Sequence, residues 1–265
     1  MQLTLFCLPC AGGSAAMYLR WRRSMPSHID IVPLELPGRG ACMGQAALRD
    51  FDALIDYLLP RVREHLGVAQ GRAADGHAYA FFGHSMGALL AYGLARRLRA
   101  EAVRQPPAIL FLSACPAPTR RLTDRFSRND DASLIADLRK QNGTPAEVFD
   151  DPDLLRMTLD LLGADYDVCR SFHVPASASV TAAPPLQMPL QVLAGSDDDI
   201  GTERLLAWRG ESSGAFALDW FEGDHFYLRR HEQALLAKIR ARFDEVAAAG
   251  QVRGDISCTG VGHAA

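Results

Sequence analysis

The sequence predicts an α/β fold in which a mostly parallel β-sheet is covered by helices on both faces. Short apolar runs, which indicate buried strands, alternate with longer segments whose apolar residues recur at helical spacing. This alternation is typical of parallel sheets that are buried on both sides. A chain of 265 residues, 48% of them hydrophobic and 22% charged, can bury the core of one such domain.

Six apolar runs are expected to be the strands, and several of them end at glycine or proline. These runs are 3–8, 29–34, 78–82, 108–113, 190–194 and 215–221. The segments with helical character are 50–66, 87–100, 203–209 and 232–249. The strands and helices alternate along most of the chain, as the fold requires.

One long segment interrupts this alternation. Residues from about 120 to 185 show helical character and several prolines, but no clear buried strand. We expect this segment to be a helical lid inserted between late strands of a single domain that spans 1–249. Residues 250–265 are small and polar, and we expect them to form a flexible tail.

The overall composition excludes several classes of protein. A formal net charge of −3 argues against a nucleic-acid binder. No apolar run approaches the roughly 18 residues that a transmembrane helix needs, and the N-terminus lacks the positive region of a signal peptide. Six cysteines in a chain of this length do not form a disulfide scaffold. We therefore expect a cytoplasmic protein that binds neither nucleic acid nor membrane.

Cys7 and Cys10 form a C-x-x-C pair at the end of the first predicted strand. A redox role is one interpretation of such a pair, but no second pair exists that could complete a zinc site. The simpler interpretation is that these cysteines are small buried apolar residues. We expect no metal and no bound cofactor.

The strongest local signal is the G-x-S-x-G motif at 83–87, which follows an apolar strand and precedes a helical segment. In this context the serine, Ser85, lies on a sharp strained turn and is exposed as a nucleophile. Gly83 and Gly87 let the strand and the helix approach each other around it. The N–H of Met86 can donate to a developing oxyanion. The competing interpretation is a tight turn with an unreactive serine.

A serine nucleophile needs a base and an acid, and in this chain order the acid comes before the histidine. His225 follows the last predicted strand, just before the last helix, and is the expected base. Three aspartates follow the strand at 190–194. We choose Asp198 as the acid because of its spacing from Gly195, with Asp197 as the alternative.

The second oxyanion donor is expected in the glycine-containing loop at 10–14, after the first strand. We assign it to the backbone N–H of Ala11. A phosphate-binding loop is the competing interpretation. However, the sequence contains neither G-x-G-x-x-G nor G-x-x-x-x-G-K-[ST].

Together these features resemble the type II thioesterases of nonribosomal peptide and polyketide assembly lines, which are α/β-hydrolases. The resemblance covers about 3–243. Its motifs are 8–14, Trp21, 36–40, 83–87, 113–118, 142–145, 164–166, Trp208 and 223–226. Cys10 stands where the family often has an aromatic residue or His, and Gly163 where Arg is common. The segment from the aspartates to Trp208 is about one residue shorter than in the family, so Asp197 remains an alternative to Asp198 as the acid.

The resemblance implies a function in antibiotic or siderophore biosynthesis. Such enzymes act in trans, as monomers in transient contact with carrier proteins, and hydrolyse acyl groups from the phosphopantetheine arm. The insertion at 120–185 would form a lid over the acyl chamber. Its apolar residues are expected mainly to pack the lid onto the core, although some can line the chamber. These residues are Leu154, Leu155, Met157, Leu159, Leu161 and Leu162.

Two other functions fit parts of the pattern. An esterase or peptidase that acts on free small molecules would use the same three residues, because fold and triad leave the substrate open. A catalytically silent protein of the same fold could bind carrier domains or a ligand. The presence of Ser, Asp and His in the expected order argues against this second alternative.

Overall fold

The computed structural model describes residues 3–67, 78–101, 105–122, 126, 129–173 and 186–258, with side chains as far as 245. The strands form one sheet in the order β2-β1-β3-β4-β5-β6, and all neighbouring strands are parallel. They are β1 (Leu3–Leu8), β2 (Ile29–Pro33), β3 (Ala78–His84), β4 (Leu110–Ser113), β5 (Leu190–Gly195) and β6 (Phe216–Phe221). Each strand overlaps its predicted run, and the predicted parallel α/β fold is confirmed.

The helices follow the strands in alternation. The α-helices in the described part are α1 (Trp21–Ser24), α2 (Phe51–His65), α3 (Met86–Ala100), α4 (Asp131–Gln141), α5 (Glu147–Asp150), α6 (Pro152–Ser171), α7 (Thr202–Leu206), α8 (Tyr227–Arg230) and α9 (Glu232–Cys258). Short 3₁₀ helices span Ala15–Tyr18, Gly40–Cys42, Pro118–Arg120 and Ala207–Glu211. The helix predicted at 203–209 is therefore α7 followed by a 3₁₀ turn. Helix α9 runs past the predicted end at 249, and 259–265 lie outside the described residues.

Successive strand residues point to opposite sides of the sheet, and helices bury the apolar side chains on each face. In β1, Phe6 belongs to one hydrophobic cluster, which also contains residues of α2 and α3. Leu5 and Cys7 belong to a second cluster with Trp21 of α1 and residues of α9. The four inner strands β1, β3, β4 and β5 are accordingly buried along almost their whole length, as the sequence predicts for a sheet between two layers of helices.

Helices α4, α5 and α6 lie between β4 and β5, and the described residues of this insertion contain no strand. A small cluster joins its helices: Leu159, Leu162 and Tyr166 of α6 pack with Leu134 of α4. Most of the apolar residues singled out in α6 therefore either pack within the insertion or, like Leu154, are exposed. Residues 174–185, which complete the predicted lid, lie outside the described part of the chain.

Helix α3 begins unusually close to the end of β1. A Cβ atom at Gly87 would lie 2.1 Å from the carbonyl oxygen of Leu8 and 2.7 Å from that of Pro9. These neighbours are backbone atoms of a buried strand end, so they cannot move aside as a flexible side chain can. The glycine therefore sets how closely the helix that follows Ser85 can approach the sheet.

We predict that Gly87→Ala destabilises the protein, although alanine is the better helix former. Overpacking at such a site costs about 2 kcal/mol, which lowers Tm by about 5 °C in a domain of this size. Gly210→Ala is the matched control, because a Cβ atom there meets no atom within 4 Å. Thermal unfolding followed by circular dichroism compares the variants, and equal Tm values would contradict the close approach.

Candidate active site

The carboxyl ends of the parallel strands meet at one edge of the sheet, which is where open α/β sheets bind ligands. A cavity of about 300 Å³ opens at this edge. Its walls include Ser85 after β3, Cys115 after β4, Ile200 after β5 and His225 after β6. Leu162 contributes from α6, so the insertion forms part of the wall.

Ser85 lies on a strained turn between β3 and α3. Its φ of 55° and ψ of −117° are rare for a residue with a side chain. A hydrogen bond from its N–H to the carbonyl oxygen of Ser113, 2.8 Å long, holds the turn. A Cβ atom at Gly83 would lie 2.0 Å from the carbonyl oxygen of Gly87, so the turn requires glycine there. The turn brings Ser85 to the cavity at the start of a helix.

His225 and Asp198 form a buried hydrogen-bonded pair. The distance from Nδ1 of His225 to Oδ2 of Asp198 is 2.8 Å, and the two side chains are 6% and 4% exposed. The structure places Asp197 elsewhere: its N–H donates to the carbonyl oxygen of Gly223, and its carboxylate accepts from the hydroxyl of Ser196. Asp198, rather than Asp197, is the aspartate in contact with the histidine.

The contact with Asp198 sets the chemistry of His225. A neutral imidazole that donates from Nδ1 carries an acceptor at Nε2. Nε2 of His225 is buried and has no hydrogen-bond partner among the described residues. Since His225 and Ser85 line the same cavity, this nitrogen can accept a proton from a hydroxyl group at the site.

The two predicted oxyanion donors also lie at the cavity. Ala11 is in the loop after β1, and Met86 is the first residue of α3, where N–H groups have no partner within the helix. Within the described part of the chain, neither N–H donates a hydrogen bond to another residue. Both remain available to a negative oxygen in the cavity.

His84 has a larger part in the site than the sequence indicated. It is buried at the end of β3, with Nδ1 2.9 Å from the hydroxyl of Ser113, which lies 2.7 Å from the hydroxyl of Tyr227. Its ring centroid is 5.1 Å from that of His225. Burial, together with the nearby His225 and Arg229, lowers the pKa of His84 well below its usual value. His84 therefore supports the ring of His225 as a neutral group.

Cys7 and Cys10 lie in an environment that disfavours the thiolate form. Cys7 and Cys10 are free and buried, and burial raises the pKa of Cys10 to about 12. A thiol held in its neutral form is a poor redox group. In the portion of the chain that the structure covers, no group of three or more His, Cys, Asp or Glu side chains could hold a metal ion. None of the described helices is long and apolar enough to cross a membrane.

Comparison with known proteins assigns the family. The family described as thioesterase domain matches residues 3–243. The chain belongs to the thioesterase family. This thioesterase is similar to the type II thioesterase BorB from the borrelidin biosynthetic cluster, with a TM-score of 0.75 and 34% identity over 91% of this chain and 92% of that structure. The fold of the present chain and its serine Ser85 thus belong to a family of hydrolases that act on thioesters.

Two relatives extend the comparison. The linear gramicidin dehydrogenase LgrE of Brevibacillus parabrevis is 32% identical, over 91% of this thioesterase and 87% of that protein. Thioesterase PikA5 of Streptomyces venezuelae is 30% identical, over 84% of this chain and 75% of that protein. The name of LgrE indicates an oxidoreductase, but the present sequence contains no G-x-G-x-x-G dinucleotide-binding motif.

We predict that Asp198→Asn lowers kcat by about 10,000-fold, because an amide favours the wrong tautomer of the histidine. Asp197→Asn should change kcat by less than about twofold, because it alters an exposed side chain and keeps the backbone N–H that donates to Gly223. Steady-state hydrolysis of a soluble acyl thioester measures both. A larger loss for Asp197→Asn than for Asp198→Asn would exchange the roles of the two aspartates.

We also predict that His84 makes stability depend on pH. The unfolded chain protonates this histidine below about pH 6.5, whereas burial keeps it neutral in the folded protein. The unfolded state then binds more protons, so the free energy of unfolding falls as pH decreases from 7 to 5. His84→Asn should remove up to about 1.4 kcal/mol per pH unit from this slope. Urea denaturation across this range tests it, and identical slopes in the two proteins would contradict the prediction.

Proposed function

We propose that this thioesterase acts in trans and hydrolyses acyl groups from the phosphopantetheine arms of carrier proteins in nonribosomal peptide or polyketide biosynthesis. The proposal is supported by the buried His225–Asp198 pair, because His225 lines the same cavity as Ser85. A role in biosynthesis is supported by the similarity to BorB, a type II thioesterase from the borrelidin biosynthetic cluster.

The first step acylates the enzyme. His225 takes the proton of the Ser85 hydroxyl at Nε2 while the serine oxygen attacks the carbonyl carbon of the thioester. The carbonyl oxygen becomes negative and accepts hydrogen bonds from the N–H groups of Ala11 and Met86. Asp198 stabilises the imidazolium. The carbon–sulfur bond then breaks, and the departing thiolate of the phosphopantetheine takes the proton from His225.

The second step releases the acid. A water molecule gives a proton to Nε2 of His225 and attacks the acyl carbon, and the same two N–H groups hold the second oxyanion. The bond between this carbon and the Ser85 oxygen breaks, and His225 returns its proton to the serine. The cycle restores the enzyme and consumes one water for each thioester. It requires no metal and no bound cofactor.

The insertion and the cavity beside Ser85 also have roles in this function. Helices α4–α6 act as the lid, because residues of α4 and α6 line the cavity beside Ser85. The protein is a cytoplasmic monomer that meets its carrier partner transiently. Cys115 and Ile200 are among the apolar residues that line the acyl chamber, and such residues suit the hydrocarbon part of an acyl group.

The deciding experiment compares three substrates that carry the same acyl group: a purified carrier protein, coenzyme A and a simple ester. Intact-protein mass spectrometry follows the carrier, and free-thiol or acid release follows the other two. We expect the carrier protein to be deacylated with the highest kcat/KM. Ser85→Ala should reduce all three rates by at least about 1,000-fold, as loss of a triad nucleophile does.

Two results would count against this function. Equal or faster hydrolysis of the free substrates would favour an esterase acting on small molecules. Full activity in Ser85→Ala would remove the serine from the mechanism. Circular dichroism of the variant provides the control that its fold is intact.

A further inference from the structure

A buried ion pair joins the insertion to the loop that contains Ala11. Arg39, in the loop after β2, donates from Nη1 to Oδ2 of Asp165 at 2.6 Å and from Nη2 to Oδ1 at 2.7 Å. The side chains are 4% and 1% exposed, and Asp165 lies in α6. Burial alone would lower the pKa of Arg39, but the hydrogen bond and charge of Asp165 outweigh it and raise this pKa. A bidentate pair of this kind fixes both side chains in one geometry.

Both side chains of the pair also bind the backbone of the loop. Oδ2 of Asp165 accepts from the N–H of Gly12 at 2.7 Å, and Arg39 donates to the carbonyl oxygen of Gly13 at 3.1 Å. The N–H of Gly13 closes a turn onto the carbonyl oxygen of Cys10 at 3.0 Å. Hydrogen bonds thus hold the peptide groups on both sides of Ala11.

We propose that Arg39 and Asp165 are positioning residues that hold the N–H of Ala11 toward the oxyanion. The inference rests on the proposed function, because attack by Ser85 creates that oxyanion. Oxyanion donors act through preorganisation, so an N–H that can rotate away stabilises the transition state less. Because Leu162 of the same α6 lines the cavity, the pair also couples the wall of the acyl chamber to this donor.

The test uses hydrolysis of a soluble acyl-N-acetylcysteamine thioester, which needs no carrier protein. We expect Asp165→Asn to lower kcat by about 100-fold, as a misplacement of about 1 Å does, with KM changed less than about threefold. Binding of a trifluoromethyl ketone analogue, which forms an oxyanion upon addition of Ser85, should weaken by the same factor as kcat. The matched control is Asp167→Asn in the same helix, which loses a more exposed pair with Arg49 and should retain wild-type kcat.

A double variant separates positioning from folding. Arg39→Met with Asp165→Leu removes both buried charges together, which generally preserves stability better than removing one partner. Its side chains cannot bond the loop, so kcat should stay low even where Tm matches that of the wild type. If the double variant has both the wild-type Tm and the wild-type kcat, the proposal is overturned and the pair has a purely structural role.

Activities of Asp165→Asn and Ser85→Ala distinguish loss of the positioning role from loss of the serine mechanism. Activity that depends on Ser85 but is unchanged in Asp165→Asn overturns the positioning role alone. Activity that persists in Ser85→Ala overturns the serine mechanism, and the positioning role with it. A parallel loss of kcat and inhibitor affinity in Asp165→Asn, with KM nearly constant, supports both.

Discussion

The site depends on the strained backbone of Ser85. A residue with a side chain is held at a φ of 55° because the strand before it and the helix after it pack around two glycines. The cost of such strain is of order 1–3 kcal/mol and must be met by surrounding interactions. The buried β3, the start of α3 against β1 and the hydrogen bond to Ser113 supply them. The scaffold thereby places Ser85 on the wall of a cavity that the neighbouring loops complete.

The other residues of the candidate site come from separate strands of one parallel sheet. The loop after β1 brings Ala11, the turn after β5 brings Asp198, and the loop after β6 brings His225. Since all parallel strands end at the same edge, residues far apart in sequence meet there without long connections. The loops after β5 and β6 are also tied together, because the N–H of Asp197 donates to Gly223. The backbone of Asp197 thus helps to position Asp198, the aspartate that is bound to His225.

Most of the fold and the outline of the site could be predicted, because both depend on local patterns. The strands appear as apolar runs, and Gly83 and Gly87 around Ser85 appear as a motif at fixed spacing. The choice between Asp197 and Asp198 could not be settled by sequence, since the direction of each side chain depends on how the turn is closed. Arg39 and Asp165 are 126 residues apart, and nothing local indicates that they meet. The contact between His84 and Ser113 likewise depends on tertiary structure and has no local signal in the sequence.

In the proposed mechanism the acyl group passes through an ester with Ser85. Rapid acid quenching of the enzyme with an excess of acyl thioester, followed by peptide mass spectrometry, tests for this ester directly. We expect the acyl mass to appear on the peptide containing Ser85, to form before the acid is released and to disappear when substrate is exhausted. Steady turnover without any acylated Ser85 peptide, under conditions that detect a synthetic acyl-serine standard, would contradict it.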